Sequence, residues 1–348
     1  MSGAMRDGGA RPMSVFMRVS DALILALALV LSAGAGAAQT APPARVVSMN
    51  LCTDQLALML AAPGQLVSVS YLAHDGAVAP LRDAARALPA NHGLAEEIYL
   101  LQPDLVLAGR YSTTATVAML QRLGVPVIRF EPENSLDQIE DALTQMGAAL
   151  GREARAEALI EEFRADRARL AAYLAQVRAG TEAPRAVLYS ARGWTGGSQT
   201  LSGDILREAG LRNIADELGL AWGGMVALES LLMADPDRLI LGQPGRNPDN
   251  SPDGWSEARA LLHHPALRHS RAYRAGVAAN DRDWVCGTPH VLDAIARLID
   301  ETVRLAEDAE KLSLRVGIVA DILREADHWS AQAGRKAIAA ADVARAVA

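Results

Sequence analysis

Apolar and polar positions alternate along this chain with two different periods. RVVSM, LVSVS, LVLAG and VPVIRF read as buried strands, and segments with helical spacing lie between and after them. DQLALMLAA stops at Pro63 and Gly64, EEIYLL precedes Gln102, Pro103 and Asp104, and VAMLQRLG closes at Gly124. From Ser135 to about Ala179 the pattern is helical throughout. Its second part, EEFRADRARLAAYLAQVRA, is charged on one side and ends at Gly180 with Pro184 just beyond. The alternation then restarts: RAVLYS as strand, LSGDILREAGL and LESLLMA as helices, DRLILG as strand, and a helical segment from Trp255 to His264 and Pro265. YRAGVAAN reads as the last strand and PHVLDAIARLIDETVRLAE as the last helix. Such alternation predicts parallel sheets flanked by helices, here an N-terminal α/β lobe over 44–150, a connecting helix over 151–180 and a C-terminal α/β lobe over 184–307. A long helix is a stiff connector, unlike a Gly/Ser linker. Ligands of open α/β sheets sit beyond the carboxyl ends of the strands, so the loops after RVVSM, LVSVS, LVLAG, AVLYS and GVAAN should face the site.

The first 38 residues have a different character. Arg6, Arg11 and Arg18 precede the apolar run ALILALALVL, and small residues follow in SAGAGAAQ. This reads as a secretory signal peptide, 1–38, cleaved near Ala37 or Ala38. The run is too short for a membrane span, which takes roughly 20 residues, and no cysteine stands there to accept a lipid. A soluble, periplasmic mature chain is expected. Composition agrees with a globular protein: half of the 348 residues are apolar and 22% are charged. The net charge of −7, without a long basic run, removes the electrostatic footprint of a nucleic-acid binder. Export puts the only two cysteines, Cys52 and Cys286, in an oxidising compartment, where they either pair or remain separate cleft residues.

The stretches VVSMNLCTDQLALML, EEIYLLQPDLVLAG, GDILREAGLRNIA, LESLLMADPDRLIL and DWVCGTPHVLDAIARL occur in an order that resembles the periplasmic substrate-binding proteins of ABC importers for cobalamin and iron–siderophore complexes. The resemblance covers about Arg45 to Glu307. It implies two Rossmann-like lobes joined by one long rigid helix, little hinge closure, no enzymatic activity, and a monomer that hands a metal chelate to permease subunits. It also implies one acidic docking residue on each lobe, matched by Glu96 and Glu229. Taken alone, each is a glutamate placed favourably near a helix start.

On this resemblance the ligand-binding candidates are Cys52, Tyr71, His74, His92, Arg110, Tyr111, Trp194, Trp222, Arg246, Trp284 and Cys286. Cobalamin binders carry aromatic residues before the first docking glutamate and after the LVLAG-like strand, where this chain has Asn91-His92 and Gly109-Arg110-Tyr111. In a chain with 4% aromatic residues, the tryptophans at strand ends offer flat faces to a bulky chelate, or else fill lobe cores. Arg110, Arg192 and Arg282 lie beside such loops and either meet ligand carboxylates or stay solvated. Arg246 belongs to the Pro/Gly/Asp-rich loop GQPGRNPDNSPDG. The spacing of His74, His92, Cys52 and Cys286 matches no compact metal motif, so neither a resident metal nor a cofactor is expected. MNLCTD after the first strand lacks the Gly-rich dinucleotide fingerprint. The alternative class is an exported hydrolase or thiol enzyme using Cys52 and a cleft histidine, with no adjacent orienting group evident. The tail over 308–348 resembles the helical lid of Lon-like proteases, but no Walker motif precedes it, and it is expected to be dispensable for binding.

Overall fold

Val46–Ser48 (β1), Leu66–Ser70 (β2), Ala90–Asn91 (β3), Leu105–Gly109 (β4) and Val127–Phe130 (β5) form a parallel sheet in the order β3-β2-β1-β4-β5. Every residue of β1 and β4 is buried, as a sheet covered on both faces requires. Leu51–Leu60 (α1), Arg82–Ala85 (α2), Ala95–Leu100 (α3) and Thr114–Arg122 (α4) connect these strands. The computed structural model describes residues 41–178, 180–242, 261–280 and 282–304, with the single positions 330 and 345. The chain divides into Met1–Pro42 and Pro43–Ala348, and all of these strands and helices belong to the second unit. The signal peptide, Arg246, Trp255 and all of the 308–348 tail except those two positions lie outside the described residues.

The stretch that reads as continuously helical is two helices, Leu136–Leu150 (α5) and Glu153–Val177 (α6). Gly151 separates them in a left-handed conformation, φ 64°, which lets its N–H close the last turn of α5. The 25 residues of α6 span about 37 Å at 1.5 Å per residue. Arg185–Leu188 (β6), Trp194–Thr195 (β7), Arg212–Asn213 (β8), Gly224–Met225 (β9), Arg238–Gly242 (β10) and Val277–Asn280 (β11) follow. Four of them make a second parallel sheet, β11-β10-β6-β8, while β7 and β9 pair antiparallel. Its helices are Leu201–Glu208 (α7), Ile214–Glu217 (α8), Leu228–Ala234 (α9), Arg271–Ala275 (α10) and residues 291–304 (α11). The fold is thus α/β, with parallel sheets flanked by helices. YRAGVAAN is not all strand: Tyr273 to Ala275 belong to α10, which Ser270 caps by accepting from Tyr273 N, and β11 begins only after Gly276. Among the described residues no helix is long and apolar enough to cross a membrane.

Three buried clusters hold these layers together. One fills the outer face of the first sheet, with Val47, Ile98, Val106 and Leu120, and another that of the second, with Val187, Ile214, Leu239 and Leu241. The third runs without a break from Val46, Leu56 and Leu107 through Leu143 and Phe163 to Ile205, Ile240 and Ile299. Polar bonds reinforce it. Asp204 on α7 accepts from the backbone N–H of Leu136, the first residue of α5, at 2.8 Å. Arg167 on α6 bonds Asp137 of α5 at 2.6 Å and Glu208 of α7 at 2.9 Å.

Candidate functional site: the cleft between the lobes

Asn50 decides how the first loop is built. Its side-chain oxygen accepts from Cys52 N at 3.0 Å and caps α1, so Cys52 sits in the first helical turn and not in a loop. Asn50 also packs on Gly109 at the end of β4, where a Cβ would stand 2.7 Å from its Cγ. One turn along, the buried Asp54 accepts from Ser70 N at 3.1 and 3.2 Å and from the Ser70 hydroxyl. These bonds clamp α1 to the end of β2. Burial outweighs them and pushes the Asp54 carboxyl up to about 7.

Cys52 is bonded to Cys286, with their Cα atoms 5.2 Å apart and 234 residues between them in sequence. The bond joins α1 of the N-terminal lobe to the loop after β11 of the C-terminal lobe. Neither cysteine is therefore a free thiol, and the thiol-enzyme alternative loses its nucleophile.

Around this disulfide lies a cleft of about 550 Å³. The N-terminal lobe contributes Cys52, Val78, Tyr111, Pro132 and Glu133; the C-terminal lobe contributes Ser190, Trp194, Thr200, Ser202 and the run Trp284 to Gly287, among others. Most of these follow the carboxyl ends of strands, as the topology requires. The β7–β9 pair sets Trp194 opposite Met225 and leaves that tryptophan 47% exposed. The turn before it uses left-handed backbone at Arg192, φ 56°, and Gly193, φ 83°. Trp284 is only 7% exposed and belongs to the shared core as well as to the cleft wall.

Of the sequence-predicted ligand residues, the cleft brings together Cys52, Tyr111, Trp194, Trp284 and Cys286. Others stand elsewhere. His74 donates from Nε2 to Ala85 O at 3.1 Å, a bond within the N-terminal lobe. Tyr71 and His92 stack on each other, ring centroids 5.5 Å apart, at the ends of β2 and β3. Glu97 holds His92 through its backbone N–H at 2.8 Å and its ring at 3.2 Å. Arg110 pairs with Glu131 at 2.6 Å and lines a polar groove of about 540 Å³ that adjoins the cleft. Trp222 is 66% exposed and is not among the side chains walling the cleft. Arg246 lies outside the described residues. Among the described residues no three His, Cys, Asp or Glu side chains converge to hold a metal.

Glu133 is a cleft residue that the sequence reading does not single out. It follows β5 on the loop to α5, and burial pushes its carboxyl up to about 7, although backbone N–H groups of Glu133 and Gly287 oppose that shift. The same carboxyl-end rule, applied to VPVIRF, points to its loop but not to this residue.

Glu96 and Glu229 lie in the first turns of α3 and α9, both exposed. Leu94, Tyr99 and Leu100 are exposed near Glu96, and Trp222, Met225 and Met233 near Glu229 in sequence.

Two α/β lobes, a stiff helix between them and a cleft at their strand ends define a two-lobed solute-binding protein. The chain belongs to the periplasmic binding protein family, whose profile matches residues 46–278. A cobalamin-binding protein of Halobacterium salinarum is 26% identical over 318 residues, covering 81% of this chain and 83% of its own. The crystal structure of a periplasmic heme binding protein from Pseudomonas aeruginosa superimposes with a TM-score of 0.62 at 25% identity, over 74% of this chain and 91% of that one. An uncharacterized ABC transporter substrate-binding lipoprotein of Bacillus subtilis, YvrC, is 25% identical over 49% of this chain and 55% of its own. Residues 292–348 match the LID domain of archaeal LonB, an AAA+ ATPase. That match begins inside α11, where Leu292, Ile295, Leu298 and Ile299 belong to the shared core.

Proposed function

We propose that this chain is an exported, non-enzymatic, periplasmic subunit that captures a metal chelate, either an iron–siderophore, a haem or a cobalamin-like corrinoid, and delivers it to an ABC importer. The observation that carries this reading is the cleft of about 550 Å³ at the facing strand ends of both lobes, floored by apolar and hydroxyl side chains with Trp194 exposed at its wall. Such a space suits a rigid, bulky ligand with a flat face. The family and the named ligands of its relatives support it.

Glu96 and Glu229 would engage basic groups of the permease. Both carboxylates are exposed, neither forms an ion pair among the described residues, and exposed apolar side chains stand near both in sequence. Charged pairs of this kind set orientation and partner choice more than raw affinity. Replacing both, Glu96→Arg with Glu229→Arg, is expected to leave chelate affinity unchanged and to abolish uptake in a strain that depends on this protein. Loss of chelate binding in the double variant would refute the docking role. Absorption spectra and mass spectrometry of the ligand released from protein purified from its native host would name the chelate.

A further inference from the structure

Among the described residues that wall the cleft, Glu133 is the only one with a charged side chain. It occupies a built seat. Gly287 of the opposite lobe faces it so closely that a Cβ there would lie 2.5 Å from Glu133 Cβ and Oε2. The N–H of Gly287 opposes the upward shift that burial imposes on its carboxyl. Gly287 follows Cys286, so the disulfide anchors this close approach from the next residue. Glu133, Tyr111 and Pro132 wall both the cleft and the polar groove beside it, which puts the carboxyl at the junction of the two spaces.

The two arginines that line the adjoining groove have partners of their own. Arg110, on the groove side, is paired with Glu131 at 2.6 Å. Arg129, also on the groove side, donates to Ser112 O at 3.3 Å. The remaining polar groups of the cleft include the hydroxyls of Ser190, Thr200 and Ser202. A ligand carboxylate brought against Glu133 would meet a like charge in a desolvated space, which disfavours its binding. A ligand amide fares differently. Its N–H is accepted by the carboxylate, and it brings no second negative charge.

We propose that Glu133 sets the ligand class: the cleft selects a chelate with no net negative charge and an amide-bearing rim, and rejects chelates that carry free carboxylates. This rests on the chelate-capture reading above. The probes are cyanocobalamin and ferrichrome, both amide-bearing and without net charge, and haemin, which carries two carboxylates. Each is titrated into the purified, ligand-free chain and followed by tryptophan fluorescence and calorimetry. At least one neutral probe is expected to bind tenfold or more tightly than haemin. Glu133→Lys should narrow or invert that ratio. Glu133→Gln, which keeps the shape and removes the charge, should narrow it by roughly ten- to a hundredfold, the worth of a hydrogen bond to a charged group. Circular dichroism and the denaturation midpoint report whether each variant is folded; Glu133→Gln alone decides if Glu133→Lys is not. Haemin binding as tightly as the neutral probes, or a ratio that Glu133→Gln leaves unmoved, overturns this assignment while chelate capture stands. Failure of all three probes to bind overturns the capture reading and this inference with it.

Discussion

Removing the bond between Cys52 and Cys286 tests the most consequential link in the molecule. The bond closes a loop with 234 residues of sequence separation. Chain-entropy reasoning for a loop of that length gives about 5 kcal/mol of stabilisation, acting by restricting the unfolded chain. For a protein of this size that corresponds to a melting temperature lower by about 10 °C when the bond is lost. The appropriate variant is Cys52→Ala with Cys286→Ala. It leaves no lone thiol and keeps the small apolar neighbourhood of Leu51, Leu72, Val78 and Ala79 free of a new polar group. Guanidinium and thermal denaturation, followed by far-UV circular dichroism and tryptophan fluorescence, would be run with and without reductant. The wild type should lose stability on reduction and the variant should not respond. Thiol titration of the denatured exported protein should find none before reduction and two after. An unchanged midpoint in the double variant would refute the argument, as would an equal response of both proteins to reductant.

Two further outcomes concern buried carboxyls. Asp54 has a folded-state pKa raised from 3.8 to about 7 by burial, so its contribution to stability is fully present below pH 4 and is lost as pH rises through 7. A rise of that size corresponds to about 4 kcal/mol as an upper bound. Asp54→Asn should therefore flatten the stability–pH curve between pH 4 and 7 relative to wild type, and parallel curves from denaturation at each pH would sink this. Asp204→Ala leaves the N–H of Leu136 without its acceptor and is expected to cost about 1–3 kcal/mol. Asp204→Asn, which retains an oxygen, should cost less, and equal losses in the two denaturation midpoints would contradict a role as acceptor.

Much of the fold is legible in the sequence because its strands are buried on both faces and its helices close with punctuation. RVVSM and LVLAG are continuous apolar runs, and a run of that kind bounded by turn residues has few other uses. What escapes is set by contacts without a sequence period. The β7–β9 pair has two residues per strand, too few to alternate. Gly151 reads as part of one helix because only its left-handed backbone distinguishes a break from a tolerated glycine. The disulfide stays one of two alternatives in the sequence, since proximity of Cys52 and Cys286 is a property of two lobes meeting and not of either stretch. The candidate site is legible by position and less so by residue. Segments at strand ends supply Tyr111, Trp284 and Cys286 to the cleft, with Cys52 from the first turn of α1 and Trp194 from β7, whereas His74 and His92 find local partners in Ala85 and Glu97. Glu133 escapes because a single glutamate after a strand carries no signal until desolvation singles it out.

The unbroken core beneath the cleft has a consequence for how such a protein can be recombined. Phe163 of the connecting helix and Leu143 of α5 belong to the same apolar cluster as Val46 and Leu107 of one sheet and Ile205, Ile240 and Ile299 from the other half. A chain cut at the connecting helix would expose that whole interior, so neither half is a module that can be expressed, grafted or inherited by itself. A chimera that takes its first sheet from one relative and its second from another inherits two half-cores of independently drifted volume. Its ligand preference is most readily transplanted at the strand-end segments, although Trp284 serves both the cleft wall and that interior.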